Sequence, residues 1–556
     1  MIRGDTAEVE LLARAAAVVR SLGLSADADL DRIVESPPPD ADPLALKRLR
    51  QIAEAGGWVL VESALADLPA DLRWLYESGA VDLNELATLH RTLGLTTASD
   101  LDDVIHGQTL RSTAGLDATI EIRISSALPA LRASIPRIPL GRAVAVVEPV
   151  LDRLRSGADV IWAAPVGSLR RGQDHVGDIE LVAATSDPAA AIDRVLDDPD
   201  VGRCLHRGER RVYLRIDRTQ VGVRLPDPAV AGAELLLLTG ARRHVHALRD
   251  LAAASGMRLT AAGLVMQTGG LLPSAQEEDI YRELGLPFIP PEIRNGDDEL
   301  AAARRGALPT LVSRQDVRGD LHLHSVWSDG RDSVEAMVEA CAALGYEYMA
   351  ITDHSQSSAA SRNLSIDDVR AQAEEIAAIR ERHPSIQILH GCEVDILETG
   401  RLDFPDHVLE RFDIVLASLH DRAGHSPDQL MKRYVAAMQH PLVTVITHPS
   451  NRMVPSRAGF DLDYDRLFEA AAETRTVMEV DGSPSHLDLD GPLARRAVAA
   501  GATLVVDSDC HRADLLDRQM RLGIMTARRG WVEPRHVLNT RPIGEVRDLI
   551  ASKRAR

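Results

Sequence analysis

Two histidines one residue apart, His322 and His324 in the run VRGDLHLHS (317–325), end an apolar, strand-like stretch. Side chains alternate along a strand, so both imidazoles face the same way and form a two-point clamp for a metal ion. Alone, such a pair arises by chance on any solvated strand. Here the same event recurs six more times: a run rich in Val, Ile, Leu or Ala ends in residues able to hold a metal. YEYMAITDH ends at Asp353 and His354, IQILHGCEVD carries Glu393 and Asp395, and FDIVLASLH ends at His420. LVTVITHP reaches His448, TVMEVDG reaches Asp481, and ATLVVDSDCH reaches Asp507, Asp509 and His511. Imidazole and carboxylate together suit zinc, manganese or iron. A cluster of such ions acidifies a water and stabilises the leaving oxygen of a phosphoester.

Between these runs, SVEAMVEACAALG and DDVRAQAEEIAAIRERH place apolar residues three and four apart, the spacing of amphipathic helices. Strands apolar on both faces and separated by helices predict a parallel sheet covered by helices, and seven units in about 240 residues is barrel length. In a barrel the C-terminal strand ends share one mouth. His322, His324, His354, Glu393, His420, His448, Asp509 and His511 are therefore expected to converge. Of the 13 histidines beyond position 320, His383, His390, His407, His425, His440, His486 and His536 are not at strand ends and read as ordinary.

The segments DLHLHSVWSDG, GYEYMAITDHS, GCEVDI, ASLH, THPSNR and VDSDCH resemble the PHP (polymerase and histidinol phosphatase) family of metal-dependent phosphoesterases. The resemblance adds Asp329 and implies nine ligands for up to three divalent ions (Mn, Zn or Fe). It assigns His322, His324, Glu393 and Asp509 to one ion. Glu393 bridges to a second ion on His420 and His448, and Asp329, His354 and His511 hold the third. Glu393, Asp509 and His324 are the expected catalytic centre. Arg452, in THPSNR, is a candidate phosphate-binding residue, with a salt bridge as the alternative.

The 556 residues suggest three or four domains, and 45% hydrophobic residues are ample for sizeable cores. The charged start is unlike a signal peptide and no 18-residue apolar run occurs, so a cytoplasmic, membrane-free protein is expected. Four dispersed cysteines suggest neither a disulfide framework nor a thiolate zinc site. Cys392 and Cys510 are expected to face away from the neighbouring ligands. A net charge of −20 argues against a strong sequence-independent grip on nucleic acid. RCLHRGERRVYLRIDR (203–218), with six arginines and two acids, is the exception, and reads equally as a solvated strand pair. Aromatic content of 3% speaks against a base-stacking surface.

Residues 1–135 read as short helices, with a loop or linker at SPPPDADP (36–43). They are similar to the helix-hairpin-helix region at the front of family X DNA polymerases, where glycines let backbone N–H groups meet a DNA phosphate. Here Ala80 and Asp82 occupy one pair of such positions, and Gly115 and Asp117 the other. A carboxylate beside a phosphate repels it.

Over 136–315 the chain resembles the palm and thumb of the family X nucleotidyltransferase core, and EEDIYRELGLPFIPPEIR resembles the polymerase–PHP junction of bacterial PolX. In VGSLRRGQDHVGDIELVAA the resemblance implies nucleotide binding by Gly167, Ser168 and Arg171, and magnesium binding by Asp178, with Glu180 in place of a second aspartate. The third carboxylate that nucleotidyl transfer needs falls at Gly222, which offers no ligand, and Asp217 lies at an odd offset on the same expected strand. The expectation is thus a multidomain α and α/β chain: a helical helix-hairpin-helix-like region (1–135), a nucleotidyltransferase-like α+β core (136–315) and a PHP distorted (β/α)7 barrel (316–556). The resemblance implies DNA as partner (3′ ends, gapped or recessed duplex), 3′–5′ exonuclease or 3′-end processing in repair, and polymerase activity lost or severely reduced. The alternatives are a small-molecule phosphatase of the histidinol-phosphatase type, an active gap-filling polymerase, and a non-catalytic repair scaffold. Protein partners are not indicated.

Overall fold

The computed structural model describes the chain apart from residues 1–9, 12–13, 16, 20–40, 56–64, 66–67, 107–108, 135–136, 199–200, 359–361 and 556. Residues 36–40 of the expected linker therefore lie outside the described residues, and Pro43 opens the helix Pro43–Ala55. The chain divides into two compact units, Met1–Pro136 with Pro188–Arg224, and Arg137–Asp187 with Leu225–Arg556. No helix of the described residues is long and apolar enough to cross a membrane.

In the first unit, Ala70–Glu77, Leu83–Ala87, Ala98–His106 and Ala118–Ser134 enclose an apolar core that includes Leu72, Leu75, Leu86, Ile124 and Leu131. Asp82 closes the N-terminus of Leu83–Ala87 by accepting from the Asn84 and Glu85 amides at 2.8 Å. Asp117 accepts from the Ile120 amide at 2.9 Å at the start of Ala118–Ser134. Each carboxylate occupies amide donors that a phosphate would otherwise meet. The arginine-rich run forms an antiparallel ribbon, Arg203–Arg207, Arg211–Ile216 and Thr219–Arg224. Asp217 sits in the turn between the last two strands at φ 53°, rather than on a strand as expected. Chain reversal, not strand parity, sets its direction.

The second unit contains the helix Leu140–Arg155 and the antiparallel strands Val160–Pro165 and Ile179–Thr185. The helices Ala231–Thr239, Arg242–Ala254 and Glu277–Glu283 follow, with a small three-stranded sheet inserted among them. Beyond them lies an all-parallel seven-stranded sheet of β1 (Gly319–Leu323), β2 (Tyr348–Ile351), β3 (Gln387–Asp395), β4 (Ile414–Ser418), β5 (Val445–Ile446), β6 (Val477–Asp481) and β7 (Leu504–Asp507). Strand order equals chain order, so each crossover carries a covering segment. The last strand returns to the first through a Leu323–Cys510 bridge, the His324 amide donating to the Cys510 carbonyl at 3.0 Å. The result is a distorted barrel. Met349 and Ile351 of β2 pack toward the helices while Ala350 between them joins Leu416, Val445 and Val505 in a separate cluster. That cluster also takes Val546 and Ile550 of the C-terminal helix Ile543–Arg554. Both strand faces are buried, which explains the nearly continuous apolar runs. Cys392 and Cys510 lie on the helix side as free thiols.

In the first unit the buried Asp100 carboxylate accepts from the Thr96 and Thr97 amides and pairs with Arg224 at 2.5 Å and Arg211 at 3.2 Å. Burial pushes its pKa up, but the two guanidinium groups outweigh that and hold it well below the usual range. Asp100→Asn removes the charge that offsets both arginines, and is expected to cost about 3–5 kcal/mol. Amide hydrogen exchange across 68–134 should accelerate accordingly; protection equal to wild type would contradict this.

Candidate metal centre

The strand ends bring all nine expected ligands into one pocket. His322 lies on β1, with His324 and Asp329 just beyond it; His354 follows β2, Glu393 lies on β3, His420 follows β4, His448 follows β5, and Asp509 and His511 follow β7. Glu393 is the hub. Its Oε1 lies 2.8 Å from His448 Nε2 and 3.5 Å from His420 Nε2. Its Oε2 lies 2.9 Å from His354 Nδ1, 3.4 Å from His322 Nε2 and 3.7 Å from His324 Nε2. Asp509 Oδ1 sits 3.1 Å from His324 Nε2, and Asp329 Oδ1 sits 3.2 Å from His511 Nε2. Within the nine, three sets offer ligand atoms within 4.8 Å of one another: His322, His324 and Asp509; His354, Glu393 and His420; and His324, Asp329, His354 and His511. His354 and His324 are thus shared more widely than the resemblance implied, and His448 enters through Glu393.

Several imidazoles are aimed by a partner behind them. His322 Nδ1 donates to Glu479 Oε1 at 2.6 Å, while the other oxygen of Glu479 accepts the His448 amide at 2.6 Å. His420 Nδ1 donates to Asp395 Oδ1 at 2.9 Å, and His511 Nδ1 to the Asp509 carbonyl at 3.0 Å. Each bond fixes the proton on Nδ1 and leaves the Nε2 lone pair for the pocket, as metal-ligating histidines require. Asp353 serves differently: it accepts from the Ser325 amide, both the Ser325 and Ser328 hydroxyls and Gln372, and so shapes the loop after β1. Asp507 accepts the Leu321 amide and ties β7 to β1. Neither joins a ligand group.

Burial pushes the Glu393 carboxyl up, but His354, His322 and His420 outweigh it and hold Glu393 well below the usual range. His324 is pushed down to about 4 by burial and by His511 and His354, which keeps its imidazole neutral and its lone pair available. Two ligands sit in left-handed backbone, His448 at φ 27° and Asp509 at φ 49°, a conformation costing a non-glycine residue roughly 1–2 kcal/mol. Such strain persists where the surroundings over-determine it. The pocket fits cations by a further criterion. Glu393 Oε2 and His354 Nδ1 are buried with no hydrogen-bond partner, and they face each other at 2.9 Å out of hydrogen-bond alignment. Buried acceptors converging without donors match a metal's coordination shell.

Other expectations are corrected. Arg452 is not presented to a phosphate: it donates to Asp174 at 2.8 Å and to the carbonyls of His486 and Leu487, at 2.9 and 2.5 Å. Arg171 is half-buried and donates to the Thr239 carbonyl at 2.6 Å, and desolvation with Arg529 and Arg294 nearby pushes it down to about 10. Gly167, at φ 63°, and Ser168 begin the short helix Gly167–Arg170. Asp178 immediately precedes the strand Ile179–Thr185, on which Glu180 is buried. Gly222 pairs with Tyr213 in the arginine-rich ribbon. His486, read as ordinary, stacks on His448 with ring centroids 5.0 Å apart, and is grouped with Asp481 and Asp509. Glu479 had no sequence signal beyond its place two residues before a strand end.

Glu479→Gln keeps the shape but offers one acceptor oxygen where two N–H groups need one each. Metal affinity is expected to fall about 10–100-fold, the usual cost of losing such a supporting partner. Equilibrium dialysis against manganese measures it, and undiminished affinity would contradict the supporting role.

The PHP domain family matches residues 320–474, and the DNA polymerase beta thumb family matches 234–295. The DNA polymerase/3′-5′ exonuclease PolX of Bacillus subtilis (strain 168) is 33% identical over 502 residues, covering 90% of this chain and 88% of that protein. A probable phosphatase of Caldanaerobacter subterraneus subsp. tengcongensis is 32% identical over 146 residues, 24% of this chain and 55% of its own. One of Thermoanaerobacter sp. (strain X514) is 28% identical over 189 residues, 32% of this chain and 74% of its own. With a barrel whose strand ends gather nine metal-type side chains, a thumb-like segment before it and a PolX relative 33% identical over 90% of this chain, the chain belongs to the bacterial PolX family.

Proposed function

We propose that the protein is a metal-dependent DNA phosphoesterase that trims 3′ ends, a 3′–5′ exonuclease or 3′-end processing enzyme of DNA repair acting in the cytoplasm. In this reading, residues 1–135 form a helix-hairpin-helix-like region, 136–315 a polymerase-like core and 316–556 the hydrolytic domain. The observation that carries it is the gathering of nine imidazole and carboxylate side chains, Glu393 at their hub, with His322 and His420 aimed from behind by Glu479 and Asp395. A scaffold without chemistry has no use for that arrangement.

His322, His324, Glu393 and Asp509 would hold one divalent ion, Glu393, His420 and His448 a second, and Asp329, His354 and His511 a third. Manganese, zinc and iron all suit this donor set. Ions in such a centre supply Lewis acidity, making a hydrolytic water available near neutral pH and offsetting phosphate charge. Glu393 stays ionised under the surrounding imidazoles and binds without first losing a proton. His324 contributes a neutral nitrogen. Asp329 and His511, the most exposed members of the set, stand where a phosphodiester enters.

The polymerase-like region keeps Gly167, Ser168 and Asp178, where magnesium and a nucleotide would bind, but has Glu180 in place of the second aspartate and Gly222 in place of the third carboxylate. We therefore read polymerisation as lost or severely reduced. The likeness to probable phosphatases supports a second reading, hydrolysis of small phosphomonoesters. With manganese, the full chain should shorten a recessed 3′-labelled strand, release little phosphate from small monoesters and fail to extend the strand with dNTPs. His322→Ala should lower shortening at least 100-fold. Preferred phosphate release would select the second reading, and extension abolished by Asp178→Ala would overturn the loss of polymerisation.

A further inference from the structure

One polar cluster lies beside the nine expected ligands but outside that set. Asp481 ends β6, His486 sits five residues on in the following loop, and Asp509 follows the neighbouring β7. One ligand atom from each lies within 4.8 Å of the others. We propose that Asp481, His486 and Asp509 form a separate divalent-cation site that shares Asp509 with the main centre. It rests on the reading of that centre as metal-binding.

Two observations independent of the clustering point to a cation. The first is an orphaned oxygen. Asp481 is completely buried; its Oδ1 accepts the Ser483 amide at 2.6 Å, while its Oδ2 has no hydrogen-bond partner. Burying a carboxylate oxygen without a donor is costly, and neither arginine nor lysine pairs with it among the described residues. The second is the aim of His486. Its Nδ1 donates to the Arg452 carbonyl at 3.1 Å, so the proton resides there and Nε2 carries the lone pair, the tautomer a metal ligand needs. Arg452 in turn donates through Nε to the His486 carbonyl at 2.9 Å, and Asp174 holds its guanidinium at 2.8 Å. The loop carrying His486 is therefore pinned from both sides. Its ring lies nearly parallel to His448, at 20°, so the cluster continues directly from the main pocket.

Two carboxylates and one imidazole, with no thiolate, favour an ion of the manganese or magnesium class over copper or a zinc–thiolate centre. Asp509 would then serve both positions.

Full-length protein stripped with a chelator and equilibrated with manganese tests this by counting bound metal per chain after equilibrium dialysis. His486→Leu and the near-isosteric Asp481→Asn should each bind one equivalent fewer than wild type, with the remaining equivalents held at unchanged affinity. A full count in both folded variants would overturn the proposal. So would loss of every equivalent, because His486 and Asp481 would then be supports of the main centre rather than ligands of their own. Should His486→Leu fail to fold, Asp481→Asn decides alone. A wild-type count of zero would instead overturn the reading of the main centre.

Discussion

A single buried carboxylate sets the terms for the hydrolytic domain. Glu393 is almost wholly removed from solvent, and an ionised carboxylate in that position is tolerable only with opposite charge or donors close by. No local segment can provide five imidazoles around it. A parallel barrel can, because each strand ends at the same rim and each crossover restarts the next strand from the far side. Closure matters for the same reason: the Leu323–Cys510 bridge and the bond from Leu321 to Asp507 bring His322 and His324 against Asp509. The left-handed backbone at His448 and Asp509 is part of the same solution, turning those side chains inward at a modest local cost.

The polymerase-like segment is mechanically part of this arrangement. Asp174, four residues before Asp178, pairs with both Arg452 and Arg529, and Arg452 carries the loop of His486. Glu148 pairs with Arg518 and Arg521 of the barrel's penultimate helix, at 2.7 and 2.9 Å. Gly141 approaches Pro484 so closely that a Cβ there would sit 2.3 Å from the proline Cβ. The segment resembling a nucleotidyltransferase signature is thus tied to the loop of His486, which stacks on His448.

The barrel and the side chains gathered at its rim are legible because strand ends announce themselves: an apolar run stopping at His or Asp needs no knowledge of the partner strand. What stayed hidden depended on pairings across the fold. Glu479 meets His322 from 157 residues away, and within VMEVD it looks like any strand residue. Arg452 was open to two readings, because the acid that takes it up lies 278 residues earlier. His486 gives no signal in the sequence because it lies in a loop, and only the fold brings it to His448. Asp353 looked like a ligand but is taken by serines of the β1 loop. In the front region the unfavourable aspartates were visible, but their work as helix caps became clear only with Asn84, Glu85 and Ile120 in place.

Anomalous X-ray diffraction from crystals of the full chain grown with manganese addresses the central claim most directly. Peaks are expected within direct coordination distance of His322, His324 and Asp509, and of Glu393, His420 and His448. A pocket with no anomalous density, under conditions where Glu393 and its imidazoles remain in place, would contradict the account.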